Sequence, residues 1–155
     1  MRIGTGYDIH RLEKGIPFLL GGVRIPYEKG AVGHSDGDTL LHAVTDALLG
    51  AAALGDIGQH FPDTDPKNKG KDSQYFLKEV AVLVEKKGFK IGNIDATIIL
   101  QAPKLAEYIP AMRRQIASCL NLEVDQVSVK AKTNEKLDSL GNGEGVAVHA
   151  VVLLV

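Results

Sequence analysis

The run GVAVHAVVLLV at residues 145–155 is apolar at nearly every position from 146 to 155. A strand with no polar face is expected to be buried on both faces. A subunit interface could supply the second cover. The rest of the chain must therefore provide helices to lie on a sheet, and the hydrophobic spacing supplies them. Residues 37–54 carry Leu40, Val44, Ala47, Leu48 and Ala51 at helical intervals, with Ser35 or Asp36 available as a cap and Gly55 as a stop. Ser73 can cap a second helix, with Phe76, Val80, Leu83 and Val84 on one side and Gly88 at its end. A third is predicted over about 105–120, with Pro110 near its start or at a kink. Residues 1–11, 17–25, 93–103 and 125–133 read as strands, the third of them mostly buried and stopped by Pro103.

The predicted order is β, β, α, long loop, α, β, α, β, β. It favours an α+β fold: one domain over residues 1–155, with helices packed on one face of a mixed β-sheet. A chain of 155 residues can bury a full core on that plan. The long connection, GDIGQHFPDTDPKNKGKDS at 55–73, is rich in glycine, proline and charge. A loop of that length inside a compact domain is usually functional or disordered.

Composition removes several functional classes. A net charge of −1 gives no basic field for nucleic acid or an anionic membrane, and 5% aromatic residues without tryptophan make a base-stacking surface improbable. One cysteine, Cys119, excludes an internal disulfide framework and a cysteine-rich zinc site. No run approaches membrane-spanning length and the first residues read as a strand, so a cytoplasmic protein is expected.

Four regions carry candidate chemistry. In GYDIH (6–10), strand periodicity puts Asp8 and His10 on one face. On the helical wheel of 37–54, His42 points away from the apolar stripe, flanked by Asp38 and Asp46 four residues before and after. Two imidazoles and a carboxylate with an open fourth position suit catalytic zinc. An ordinary Asp–His hydrogen bond explains the same pattern. In GHSDGD (33–38), His34 and Ser35 precede a helix whose amino terminus favours an anion, although Ser35 and Asp36 also explain the run as caps. In the long loop, Asp56, Asp63 and Asp65 could accept hydrogen bonds from sugar hydroxyls, or serve only as turn residues. In KAKTNEKLDSLGNGEG (130–145), Thr133 and Glu135 lie near a strand end among Lys130, Lys132 and Lys136, as a phosphate-binding turn or as an exposed mixed-charge loop.

Taken together, RIGTGYDIH, GGVRIPYEKG, GHSDGD, LLHAVTDALLGAAALGDIGQHFPDTDP, GNIDATIILQAPK and KTNEKLDSLG resemble the 2-C-methyl-D-erythritol 2,4-cyclodiphosphate synthase family along the whole chain. The resemblance implies a ferredoxin-like arrangement and a homotrimer with active sites between neighbouring subunits. It also implies a zinc-assisted intramolecular phosphoryl transfer that releases CMP. By residue, it implies Asp8, His10 and His42 as zinc ligands and Glu135 as the ligand of a second divalent ion, Mg2+ or Mn2+. His34 and Thr133 match the transition-state stabilisers. Ser35 would hold phosphate together with Asp8, His10 and His34. Asp56, Ile57, Gly58, Phe61, Pro62, Asp63, Thr64 and Asp65 match the segments around methylerythritol and ribose. Leu100, Gln101, Ala102, Pro103, Lys104, Leu105 and Ala106 match the wall of a cytidine pocket, largely through backbone groups. Lys132, Thr133, Asn134 and Glu135 complete the substrate contacts. Asp38 and Asp46 compete as outer partners of His42. Asn142 stands where some relatives carry an arginine that meets an isoprenoid diphosphate in the central cavity of the trimer, so the resemblance does not carry that site over. A zinc phosphodiesterase that uses bound water, and a non-catalytic trimeric nucleotide binder, remain open readings of the same residues.

Overall fold

The computed structural model describes residues 1–155 apart from His34, Asp63, Lys69 and Gly70. Five strands form one sheet in the order β4-β1-β7-β5-β6. They are β1 (Arg2–Lys14), β4 (Lys29–Ala31), β5 (Ile91–Ile99), β6 (Val127–Lys132) and β7 (Gly145–Leu154). The sheet is mixed: β1 and β5 flank β7 antiparallel, whereas β5 and β6 run parallel. The parallel pair is joined by a crossover helix, α4 (Ile109–Leu120), as parallel neighbours require. A separate hairpin, β2 (Phe18–Leu20) with β3 (Val23–Ile25), turns through Gly21 and Gly22, both at positive φ. The α+β expectation holds, with the strand β4 and the single-turn helices α2 (Ile57–His60) and α5 (Asp138–Gly141) added to the predicted set.

The expectation for residues 145–155 holds in part. Within the chain, β7 is buried at every position only from 145 to 148. Beyond that it alternates, with His149 and Val151 exposed. They share the outer sheet face with Ile3, Tyr7 and Ile9 of β1, all exposed. The inner face carries Val146, Val148, Ala150, Val152 and Leu154 of β7 with Ile94, Ala96 and Ile98 of β5, and the helices pack there.

Helix α1 (Thr39–Ala51) lies at the centre of this core. It is buried on nearly every side, and only His42, Asp46 and Gly50, spaced four apart, form a partly open strip. Its contact with β1 explains the two glycines of the motif RIGTGYDIH. A Cβ on Gly4 would sit 2.0 Å from the carbonyl oxygen of Ala47, and one on Gly6 would sit 1.9 Å from that of Ala43. Only glycine permits this approach of helix backbone to strand backbone. The same inner face of β1 continues with Asp8 and His10, beside the first turn of α1 that bears His42.

The cap of α1 differs from the expected Ser35 or Asp36. Asp38 does the capping: its Oδ1 accepts from Leu41 N at 3.0 Å. The same carboxylate accepts from Gly21 N at 2.8 Å and from Gly22 N at 2.6 Å, tying the β2–β3 turn to the helix start. Burial pushes the Asp38 carboxyl up, against the pull of these three backbone donors. The second long helix, α3 (Ser73–Lys86), is capped by Asp72, whose Oδ1 accepts from Tyr75 N at 2.8 Å. Ser73, expected as that cap, is the first helical residue instead. The 55–73 connection is partly ordered by α2 and by a short 3-10 helix, Pro66–Asn68.

Candidate metal centre and substrate cavity

Three side-chain atoms converge where β1 meets the start of α1. Asp8 Oδ2 lies 2.9 Å from His10 Nε2 and 3.1 Å from His42 Nδ1, and the two nitrogens are 3.4 Å apart. Ligand atoms about 2.0–2.1 Å from one tetrahedral ion are separated by roughly 3.3 Å, so the spacing fits a metal ion with one position left over. Among the described residues this is the one group of three such side chains close enough to share an ion.

The hydrogen bonds around the group fit as well. His10 Nδ1 donates to the carbonyl of Val32 at 2.6 Å, which leaves the His10 Nε2 lone pair facing Asp8. An imidazole whose outer nitrogen is held by a carbonyl is the usual arrangement of a metal-binding histidine. The charge balance agrees. Burial alone would raise the Asp8 carboxyl, but the two imidazoles outweigh it and hold it at about 2. The hydrogen bond to Asp8 raises the His10 imidazole above its ordinary value, against desolvation. A positive charge, proton or metal, is what this pocket favours.

The group lines one side of an open cavity of about 800 Å³ together with Ser35, Ile57, Gly58, Phe61, Pro62, Thr64, Asn68 and Phe76. Ile57, Gly58, Phe61, Pro62, Thr64 and Asn68 of the long connection thus form part of its wall. Asp56 caps α2, accepting from Gln59 N at 2.9 Å, and Asp65 accepts from Lys67 N at 3.0 Å, so both carboxylates take part in local turn chemistry. His34 and Asp63 lie outside the described residues. Asn68 and Phe76 were not expected in the cavity; Phe76 had been readable only as part of the core stripe of α3.

The remaining site residues gather elsewhere, at the ends of β5 and β6. Leu100 N donates to Lys132 O at 2.9 Å, and Lys136 N donates to Gln101 Oε1 at 3.3 Å, bringing residues 100–106 beside 132–136. Leu100 and Leu105 turn their side chains into the core, whereas Lys104, Ala106 and Lys132 are exposed and Ala102 and Pro103 are half-buried. Thr133 Oγ1 donates to Glu135 Oε1 at 2.6 Å, and Asn134 bonds to Leu137 O and Asp138 Oδ1. Glu135 holds a positive φ of 51°. None of these residues lines the cavity that Asp8, His10 and His42 share within the chain.

The two expected outer partners of His42 are engaged differently. Asp38 is held by its three backbone donors, and Asp46 Oδ1 accepts from Ile57 N at 2.8 Å, linking α1 to α2. Burial raises the Asp46 carboxyl, and the nearby charges of Asp56 and Asp8 add to it. Among the described residues, His42 Nε2 meets hydroxyls instead: Ser73 Oγ at 2.8 Å and Ser35 Oγ at 3.1 Å. Sequence patterning offered no signal for Ser73 beyond capping, because it lies 31 residues from His42.

The family model of the YgbB family matches residues 1–155. A protein of Pseudomonas entomophila named 2-C-methyl-D-erythritol 2,4-cyclodiphosphate synthase is 62% identical over 155 residues, covering 100% of this chain and 99% of its own. The solved structure of a 2C-methyl-D-erythritol-2,4-cyclodiphosphate synthase in a CDP-bound form superposes with a TM-score of 0.93 at 44% identity, covering 99% of this chain and 100% of that one. The bifunctional IspDF of Campylobacter jejuni gives a TM-score of 0.94 at 45% identity and 99% coverage of this chain, which spans 42% of that longer protein.

Proposed function

The chain belongs to the YgbB family, and on that premise we propose that it converts 4-diphosphocytidyl-2-C-methyl-D-erythritol 2-phosphate into 2-C-methyl-D-erythritol 2,4-cyclodiphosphate and CMP. This is a cyclising phosphorus–oxygen lyase reaction of non-mevalonate isoprenoid biosynthesis. An oxygen of the 2-phosphate forms a bond to the β-phosphorus of the diphosphate. The bond from that phosphorus to the bridging oxygen breaks, and its electron pair leaves with CMP. No water or co-reactant enters, because the nucleophile belongs to the substrate.

The observation that carries this reading is the convergence of Asp8 Oδ2, His10 Nε2 and His42 Nδ1 on the cavity bounded by Ile57, Gly58, Phe61, Pro62 and Thr64. The donor set suits zinc, which when bound supplies Lewis-acid polarisation of a phosphoryl oxygen. The residues of the chain do the rest by positioning. An intramolecular attack is limited chiefly by bringing the two phosphates into line, so the cavity wall folds the substrate against the metal ligands. Ser35 donates to phosphate, while Asp56, Asp65 and the backbone near Gly58 take the methylerythritol and ribose hydroxyls. Thr133, with His34, donates hydrogen bonds as negative charge builds on the transferring group. Glu135 is an oxygen ligand of the kind Mg2+ or Mn2+ prefers. The 100–106 wall takes the cytidine, its backbone groups reading the base; a CDP-bound relative supports that ligand class.

The reading extends to a single synthase domain of ferredoxin-like arrangement, a cytoplasmic location and a homotrimer. Two features support the trimer. Residues 100–106 and 132–135 do not line the cavity of their own chain, so a neighbour's could complete it. The outer sheet face also leaves Ile3, Tyr7, Ile9 and Val151 exposed, an apolar patch that an interface would bury.

The test is 31P NMR of the purified protein with the substrate, with and without a chelator. Cyclic diphosphate plus CMP, abolished by chelation and restored by zinc, is the expected result. An opened hydrolysis product would establish a phosphodiesterase instead, and absence of turnover with zinc restored would overturn the reading.

A further inference from the structure

We propose that Ser73, held by Asp36, is a positioning residue that fixes His42 with its proton on Nε2 and so presents Nδ1 to the metal. The inference rests on the metal reading above and follows from counting protons. The Asp36 carboxylate accepts from two backbone donors, Ser73 N at 3.0 Å on Oδ2 and Asp38 N at 3.2 Å on Oδ1. Its Oδ1 also accepts from the hydroxyl of Ser73. A hydroxyl has one proton, and that of Ser73 is committed to Asp36. Ser73 Oγ can therefore only accept from His42 Nε2, 2.8 Å away, which favours the proton of a neutral His42 on Nε2 over the alternative on Nδ1, where Asp8 Oδ2 would accept it at 3.1 Å. The Nδ1 lone pair then points at Asp8 Oδ2 and His10 Nε2. Ser35 Oγ, at 3.1 Å, imposes no such constraint, because no carboxylate among the described residues fixes its proton.

The arrangement is built around a buried hydroxyl, with Asp36 and His42 half-buried on either side. Ser73 is 0% exposed and lies at the first position of α3, where Asp36 anchors both its backbone N–H and its hydroxyl. It parallels the Val32 carbonyl behind His10, so each imidazole has one nitrogen tied to protein and the other turned inward. Outer partners of this kind orient the ring and fix its tautomer, and removing one typically weakens metal binding about 10–100-fold. The chain also links the end of the 55–73 connection to the metal ligands, because α3 starts where that connection ends.

Zinc competition against a chelator of known affinity, on the full chain, tests this with Ser73→Ala, Ser73→Thr and Asp36→Asn. Ser73→Ala is expected to raise the zinc Kd about 10–100-fold, with Ser73→Thr recovering part of the loss. Asp36→Asn added to Ser73→Ala is expected to cost little more, because the two residues act as one relay. Cobalt substitution provides a readout independent of turnover: the tetrahedral d–d bands of the wild type should shift or broaden in Ser73→Ala. The wild type decides the matter even where a variant fails to fold. Nitrogen-15 NMR of the metal-free protein, at a pH where His42 is neutral, should find the proton on Nε2. A proton on Nδ1, or an unchanged zinc Kd in a folded Ser73→Ala protein, overturns the inference and leaves the metal site standing. A wild type that binds no zinc overturns the metal reading itself, and the tautomer still answers for His42.

Discussion

The two halves of the candidate site are held in contrasting ways. Asp8, His10 and His42 sit where two glycines let a central helix press against a strand, and their hydrogen bonds reach Val32 directly and Asp36 through Ser73. Thr133 and Glu135 lie on an exposed turn whose hydrogen bonds are mostly local, the one from Lys136 N to Gln101 apart. A ligand triad needs angular precision that only crossed long-range contacts supply. A turn that meets its ligand at a boundary between chains would need backbone shape and little else. The metal half should therefore be sensitive to packing, and the turn half should be sensitive in turnover while indifferent in stability.

The hardest test of that contrast is His42→Ala. Turnover should fall on the order of a thousandfold or more, about 4 kcal/mol of transition-state stabilisation, with loss of stoichiometric zinc. Steady-state CMP release and metal analysis check it, and undiminished turnover would remove the metal half from the chemistry. Next comes Gly6→Ala, whose added carbon meets the carbonyl of Ala43 at 1.9 Å. The helix must move off the strand at a cost of about 3 kcal/mol, visible in urea denaturation and in weaker zinc binding. Were stability to drop while zinc affinity held, the close approach would serve the core alone.

Asp38→Ala should destabilise by about 2–3 kcal/mol, because the cap of α1 is lost and the amides of Gly21 and Gly22 lose their acceptor. Thr133→Val lies at the other extreme. It should leave the denaturation midpoint within about 0.5 kcal/mol of wild type while lowering the rate of CMP release. A large loss of stability there would erase the distinction between the halves.

The smallest effect concerns pH. The folded value of His10 lies above its ordinary one, so its contribution to the metal-free protein is complete below about 6.5 and fades as pH rises through the folded value. Asp8, lowered to about 2, contributes above its ordinary 3.8 and loses that contribution as pH falls towards 2. The metal-free Tm should therefore decline as pH rises above neutrality, and zinc, replacing the proton, should remove the decline. A parallel decline in the zinc-loaded protein would show that the triad is not where the two forms differ.

Much of this was legible in residue order. The period-two placement of Asp8 and His10 survives because β1 is a regular strand, and the offset of His42 from the apolar stripe survives because α1 is a regular helix. The three long helices and the principal strands follow from hydrophobic spacing, which is a local property. The caps were harder to read. Ser35, Asp36 and Asp38 all suit the start of α1, and Asp38 takes the position because its carboxylate also meets the Gly21–Gly22 turn, a contact 16–17 residues away. The glycine, proline and charge of the 55–73 segment concealed α2, whose single turn depends on Asp56 as cap and on Asp46 from another helix.

What the sequence by itself determined is the chemistry on offer: a carboxylate and two imidazoles at strand and helix spacing, glycines in front of them, and a final strand with no polar face. Those are set by identity and period, which need no knowledge of the remainder of the chain. Only the tertiary structure decided which nitrogen of each imidazole faces inward. That choice depends on where Val32 carbonyl, Ser73 hydroxyl and Asp36 carboxylate come to lie, and separations of 22 and 31 residues are closed by packing, not by any local pattern.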